Sequence, residues 1–181
     1  MLSGELVNLR ALEPTDIDNC MQWINDREVT RHLVIGAWPV SRKAEEEWLN
    51  RATLGADPRN RVLAIETKDG VYLGNIGLHE IDHVAGVAEV GIVIGRKDYW
   101  AKGYGTDAMR TLLKHAFTNQ RLRKVTLRVF GRNVRAQRSY RKVGFKEVGR
   151  LRQHRLIDGE YDDEVIMEVF AEEFLSTLAR G

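Results

Sequence analysis

The chain has a single cysteine, Cys20, among 181 residues, so no intramolecular disulfide can form and nothing in its thiol content calls for an oxidising compartment. It also lacks a charge excess. Lys and Arg number 28 against 26 Asp and Glu, a formal charge of +2, which argues against a nucleic-acid binder held by bulk charge. No stretch approaches a membrane span, and Met1 to Leu12, which carries Glu5 and Arg10, lacks the apolar core of a signal peptide. Internal repeats, low-complexity segments and obvious linkers are missing too. These absences point to a cytoplasmic protein without a nucleic-acid or membrane partner. A hydrophobic fraction of 43% supports one full core, so residues 1–181 are expected to form a single domain.

The periodicities supply the element order. Glu5 to Leu12 alternates as a strand does, and Pro14-Thr15 with Asp18 reads as the start of a helix with Ile17, Cys20, Met21 and Ile24 on its apolar face. A second helix begins at Ser41, with Ala44, Trp48, Leu49 and Ala52 at helical spacing. Arg61 to Thr67, Val71 to Glu80 and Val87 to Gly95 are β-branched runs that read as three successive antiparallel strands, the first two joined at Asp69-Gly70. A helix from Thr106 to Asn119, a strand from Lys124 to Phe130 and a helix from Asn133 to Val143, stopped by Gly144, follow. Phe145 to Arg155 and Tyr161 to Phe170 pair around Asp158-Gly159, and a short helix ends the chain. The sum is a mixed α/β sandwich.

Two segments carry chemistry. In Tyr99-Trp100-Ala101-Lys102-Gly103-Tyr104-Gly105-Thr106 the glycines permit a tight turn and close approach of a ligand, and the helix start beyond them favours an anion such as a pyrophosphate. A plain Gly-rich helix entry is the alternative. Gly103 to Ala108 also fits Gly-x-Gly-x-x-Ala, but a dinucleotide fold wants that motif after its first strand and an acidic residue ~20 positions on at a strand end. Several strands precede it here, and the next one ends Leu127-Arg128-Val129-Phe130. In the second segment, Asn133, Ala136, Gln137 and Tyr140 share one helix face. Taken singly, Asn133 could be an N-cap and Tyr140 a core tyrosine.

Together these features resemble the GNAT superfamily of N-acetyltransferases, in particular the branch with ribosomal-protein and spermidine acetyltransferases. The resemblance spans Leu9 to Asp16, Trp23 to Asp26, Gly74 to Leu78, Ala88 to Ile92, Lys102 to Thr106 and Asn133 to Phe145. One departure is Trp100, where the family often has Gln or Arg. The resemblance implies a mostly antiparallel sheet with helices on both faces and splayed central strands. It further implies acetyl-CoA as cosubstrate and no metal. Ile92, Val93 and Ile94 would pair with the pantetheine arm, with the Val93 N–H polarising the thioester carbonyl. Lys102, Gly103, Tyr104, Gly105 and Thr106 would hold the pyrophosphate, and Asn133 would bond the pantetheine. Tyr140 matches the general acid that protonates the leaving thiolate. Glu89, a carboxylate in an apolar strand, would serve as general base through a water, or equally as a partner of a nearby Arg or Lys.

The acceptor is an amine, on a small molecule or a peptide, and a homodimer is possible. The acceptor side is expected from the first two helices, the connection from Asn25 to Trp38, and Tyr161; His79, Glu80 and Asp82 would lie at the pocket or its rim. Asp26, Glu28, Glu80, Asp82, Asp162 and Asp163 would either bind a polycation or be ordinary surface charge. Three other readings compete. His79-Glu80-Ile81-Asp82-His83 spells the zinc-protease motif, which needs a helix. The second is a GNAT-fold module that binds acetyl-CoA without turnover, and the third an acyl-enzyme route through Cys20.

Overall fold

The computed structural model describes residues 1–33 and 38–179. The described residues form one eight-stranded sheet: β1 (Leu2–Ser3), β2 (Val7–Ala11), β3 (Arg61–Thr67), β4 (Tyr72–Asp82), β5 (Val87–Ile94), β6 (Lys124–Phe130), β7 (Lys146–Ile157) and β8 (Glu160–Phe170). Their spatial order is β1-β2-β3-β4-β5-β6-β8-β7. Every neighbouring pair is antiparallel except β5 and β6, which run parallel. A parallel link needs a long crossover. Here it is supplied by α4 (Tyr104–Thr118).

Helices cover both faces. On one, α1 (Ile17–Ile24) and α3 (Arg42–Leu54) bury Cys20, Trp23 and Leu49 against Ala64 and Tyr72 of the sheet. On the other, α4 contributes Met109, Leu112 and Leu113, α5 (Val134–Val143) Val143, and α6 (Ala171–Leu178) Phe174, packed against residues such as Leu73, Ile76, Leu127 and Met167. Each such side chain removed from water contributes about 1.5–3 kcal/mol. The helix ends follow their sequence signals. Ser41 Oγ accepts the Ala44 N–H at the start of α3, and Gly55 (φ +58°) and Gly144 (φ +116°) close α3 and α5 in the left-handed region.

The expected order holds, with differences at the N-terminal side. The run read as one strand over Glu5 to Leu12 is instead β2, preceded by β1, because the Gly4 N–H turns back to the Val7 carbonyl. The N–H groups of Glu5, Leu6 and Val7 then all donate to the Asp107 carboxylate on α4 (3.1, 2.8 and 3.0 Å). A four-residue helix, α2 (Arg27–Thr30), follows α1 and was not foreseen; Asp26 caps it by accepting the Glu28 N–H at 2.9 Å. α4 starts two residues before Thr106.

Candidate active site

The sheet splits between its two middle strands. β5 and β6 pair only at Val87↔Lys124, Ala88↔Val125 and Glu89↔Thr126. Beyond Glu89 the strands part, and one edge of β5 has no partner strand. Which groups face that opening follows from parity. The Gly95 N–H donates to the Leu73 carbonyl on β4 (2.8 Å), and Val93 is opposite Asn75 and Gly91 opposite Gly77. Residues 91, 93 and 95 therefore turn their N–H and C=O toward β4. Ile92 and Ile94 turn theirs into the opening, and the Trp100 indole N–H reaches the Ile94 carbonyl from that side at 2.7 Å. The sequence-based role for the Val93 N–H is corrected accordingly: that group lies inside the β4–β5 ladder, and Ile92 carries the first open N–H past the last β5–β6 pair.

The cleft between β5, β6, α4 and α5 encloses about 780 Å³, lined among others by Ile92, Val93, Ile94, Gly103, Tyr104, Gly105, Thr106, Asn133 and Tyr140. At its upper end α4 begins. Gly103, its N-cap, has φ +92° and no side chain caps the helix. The first intrahelical acceptor, the Gly103 carbonyl, takes the Asp107 N–H, so the N–H groups of Tyr104, Gly105 and Thr106 have no acceptor within the helix. Such a helix start favours an anion. Thr106 Oγ1 and Ser139 Oγ lie 2.8 Å apart and tie α4 to α5. The Lys102 side chain does not line the cleft; it is exposed, its ammonium 5.9 Å from the centre of the Tyr99 ring. Trp100 fills the position of the family's Gln or Arg with another arrangement: its ring packs under the Arg135 guanidinium at 4.3 Å.

On the opposite wall, Asn133 caps α5 by accepting the Ala136 N–H through Oδ1 (3.2 Å), which leaves its Nδ2 donors for the cleft. The capping and ligand-binding readings of Asn133 are thus compatible. Two turns on, the partly buried ring of Tyr140 packs edge-on to Phe145 at 6.1 Å. No described residue hydrogen-bonds its hydroxyl, and burial pushes the phenol up to about 12.

The lower end is charged. Glu89 Oε2 accepts from Arg128 Nε at 3.3 Å, and Arg128 Nη1 also reaches the buried Glu164 at 3.4 Å. Arg155 Nε donates to Glu164 Oε1 at 2.8 Å, and His154 Nε2 lies 3.7 Å from Oε2. Sequence reasoning passed over Arg128, Arg155 and Glu164 as site residues; the alternation of β6 and β8 was the only available signal. Glu28 and Glu80 also line the cleft.

Other acidic candidates are engaged elsewhere. Asp26 pairs with Lys97, Asp82 accepts the Val84 and Ala85 N–H groups, and Asp162 and Asp163 pair with Arg132 and Arg150. Tyr161 is exposed and His79 bonds Asn60; neither lines the cleft. Of the connection from Asn25 to Trp38, residues 34–37 lie outside the described residues. His79 to Asp82 ends strand β4, so the helix required by the protease motif is not formed. Cys20 is buried against the Tyr72 hydroxyl (3.4 Å), away from the cleft, and burial raises its thiol. It cannot serve as an acyl carrier there.

An open strand edge for an extended amide-bearing arm, an uncapped helix start for its phosphates and a free phenol beside both define an acyltransferase that takes its acyl group from a CoA thioester. The acetyltransferase (GNAT) domain model matches residues 7–146, and the chain belongs to that family. It is an N-acetyltransferase that uses acetyl-CoA. Among its relatives, the spermidine N(1)-acetyltransferase of Escherichia coli K12 is 30% identical over 176 residues, covering 97% of this chain and 92% of that protein. The N-acetyltransferase p20 of Bacillus licheniformis, itself uncharacterised, is 26% identical over 96% of this chain and 97% of its own length. Among solved structures, the spermidine N-acetyltransferase of Vibrio cholerae in complex with CoA and spermine superposes with a TM-score of 0.85 at 27% identity, covering 94% of this chain and 98% of that one. No helix among the described residues is long and apolar enough to cross a membrane.

Proposed function

We propose that residues 1–181 act as one cytoplasmic catalytic unit that acetylates a primary amine by direct attack, with the residues of this cleft in the following roles. Acetyl-CoA, when bound, supplies the activated acetyl group as a thioester. The open edge of β5 at Ile92 and Ile94 aligns the pantetheine arm, and the Ile92 N–H donates to the thioester carbonyl oxygen, where negative charge develops. The N–H groups of Tyr104, Gly105 and Thr106 receive the pyrophosphate, and Asn133 Nδ2 donates to the arm. Tyr140 gives its proton to the departing sulfur. Glu89, held in place by Arg128, takes a proton from the amine through a water. The observation that carries this reading is the unpartnered Tyr140 hydroxyl in the same cleft as the unpaired β5 edge.

For the acceptor, the relatives' names favour a polyamine, and Glu28, Glu80, Glu89 and Glu164 line the cleft. One observation supports a second reading, a monoamine such as a peptide α-amine or an amino sugar. Glu28, Glu89 and Glu164 are already paired with Lys97, Arg128 and Arg155, whereas Glu80 has no ion pair among the described residues. The test is CoA release by the purified chain with spermidine, spermine, glucosamine and a free-amino peptide. Turnover of spermidine alone supports the first reading; turnover of the peptide or sugar alone, the second. Acetyl-CoA binding without turnover of any amine would favour a non-catalytic binding module. Light scattering on the same sample decides whether the unit works as a homodimer.

A further inference from the structure

His32, two residues beyond α2, lines the cleft, and its ring stands edge-on to Phe130 at the end of β6 (centroids 6.3 Å apart, 76° between planes). Its Nδ1 is buried without a hydrogen-bond partner, the one such side-chain atom among the described residues. Buried polar atoms are almost always paired. An orphan in the wall of a substrate cleft marks a place where the partner comes from outside the chain.

The surroundings keep this imidazole neutral. Burial is the main cause; Arg31 on its own segment and Arg132 and Arg135 around the start of α5 add to it, against Asp162 of β8 alone. A neutral imidazole has one nitrogen with a free lone pair. The Cβ–Cγ torsion of histidine is broad and two-fold, so a half-turn of the ring exchanges the positions of Nδ1 and Cδ2.

We propose that Nδ1 of His32 accepts a hydrogen bond from the N–H of the acceptor amine and thereby points the amine lone pair at the thioester. No bond is made or broken at His32; it is an acceptor-positioning residue. The proposal rests on the amine-acetylation reading above and assigns that site a contact the sequence did not indicate.

The test compares wild type with His32→Phe and His32→Asn, using the best amine of the panel. Asn places a polar atom where Nδ1 stood but does not titrate. His32→Phe is expected to raise the KM for the amine tenfold or more and to leave the KM for acetyl-CoA within twofold. His32→Asn should restore amine KM to within about threefold of wild type. In wild type, kcat/KM for the amine should acquire an extra acid limb below the ordinary histidine range near 6.5, where protonated His32 stops accepting. His32→Asn should lack that limb. Unchanged amine kinetics in an active His32→Phe enzyme, or equal losses in both variants and both substrates, overturns the proposal. A wild-type chain that turns over no amine overturns this proposal and the parent reading together.

Discussion

Replacing Tyr140 by Phe removes one oxygen atom from the cleft and almost nothing else. The ring keeps its edge-on contact with Phe145, and since no described residue bonds the hydroxyl, no buried partner is left unsatisfied. The stability change should therefore stay within about 0.5 kcal/mol. The rate should not. A positioned general acid contributes roughly 10²- to 10⁴-fold, or about 3–5 kcal/mol of barrier. Burial holds the phenol near 12, so it prefers its neutral form by roughly 3 kcal/mol more than in water, and it remains a proton donor wherever the amine is free. The rate should consequently rise with pH as the amine deprotonates, with no downturn from Tyr140 below about pH 11. The sign for stability follows from the same value. The folded chain keeps a proton that the unfolded chain loses near 10, so stability does not depend on Tyr140 ionisation below pH 10 and falls as pH climbs from there through 12. The assay is stopped-time CoA release with saturating acetyl-CoA from pH 6 to 10, alongside a thermal melt. A Tyr140→Phe protein with kcat within threefold of wild type would refute the acid role.

Three further outcomes are expected. Asp107→Ala strips the acceptor shared by the N–H groups of Glu5, Leu6 and Val7, and urea denaturation should show a loss of about 2–4 kcal/mol. Gly103→Ala forces a side chain into φ +92°, with its Cβ 3.3 Å from Leu6 Cδ1. It should cost about 1–2 kcal/mol and weaken CoA in calorimetry more than it slows amine turnover at saturating donor. Glu45 is buried on α3 and burial raises its carboxyl above the ordinary value. The charged form thus opposes folding as pH rises through that raised value, so Glu45→Gln should melt higher at pH 7, with the gain vanishing toward pH 4; an unchanged difference across that range would contradict the assignment.

How much of this was legible depended on whether a feature is local. The strands β3 to β5, the helix stop at Gly144 and the turn at Gly103 are written in residues a few positions apart, and they emerged within a residue or two. α2 is four residues long, too short for any period to show. The parity of β5 was not available either: the run Val90 to Ile94 is apolar on alternate and intervening positions alike, so nothing local tells Ile92 from Val93. The Gly95–Leu73 hydrogen bond decides it. The same holds for Glu89. Its partner Arg128 lies 39 positions away on a strand that meets β5 over three residue pairs, and only the fold shows them together. The loop from Lys102 to Thr106 was legible from its glycines, but the course of the Lys102 side chain, exposed beside the Tyr99 ring, was not.

The short β5–β6 ladder divides the labour of the site along the chain. Everything up to α4 supplies the strand edge and the phosphate cradle; everything from β6 onward supplies Arg128, Asn133, Tyr140 and Glu164. A break in the turn between Thr118 and Lys124 would yield two fragments, each with half a cleft and neither with a working one. Acetylation would then report their reassembly, which makes this sheet a natural candidate for a split-enzyme sensor.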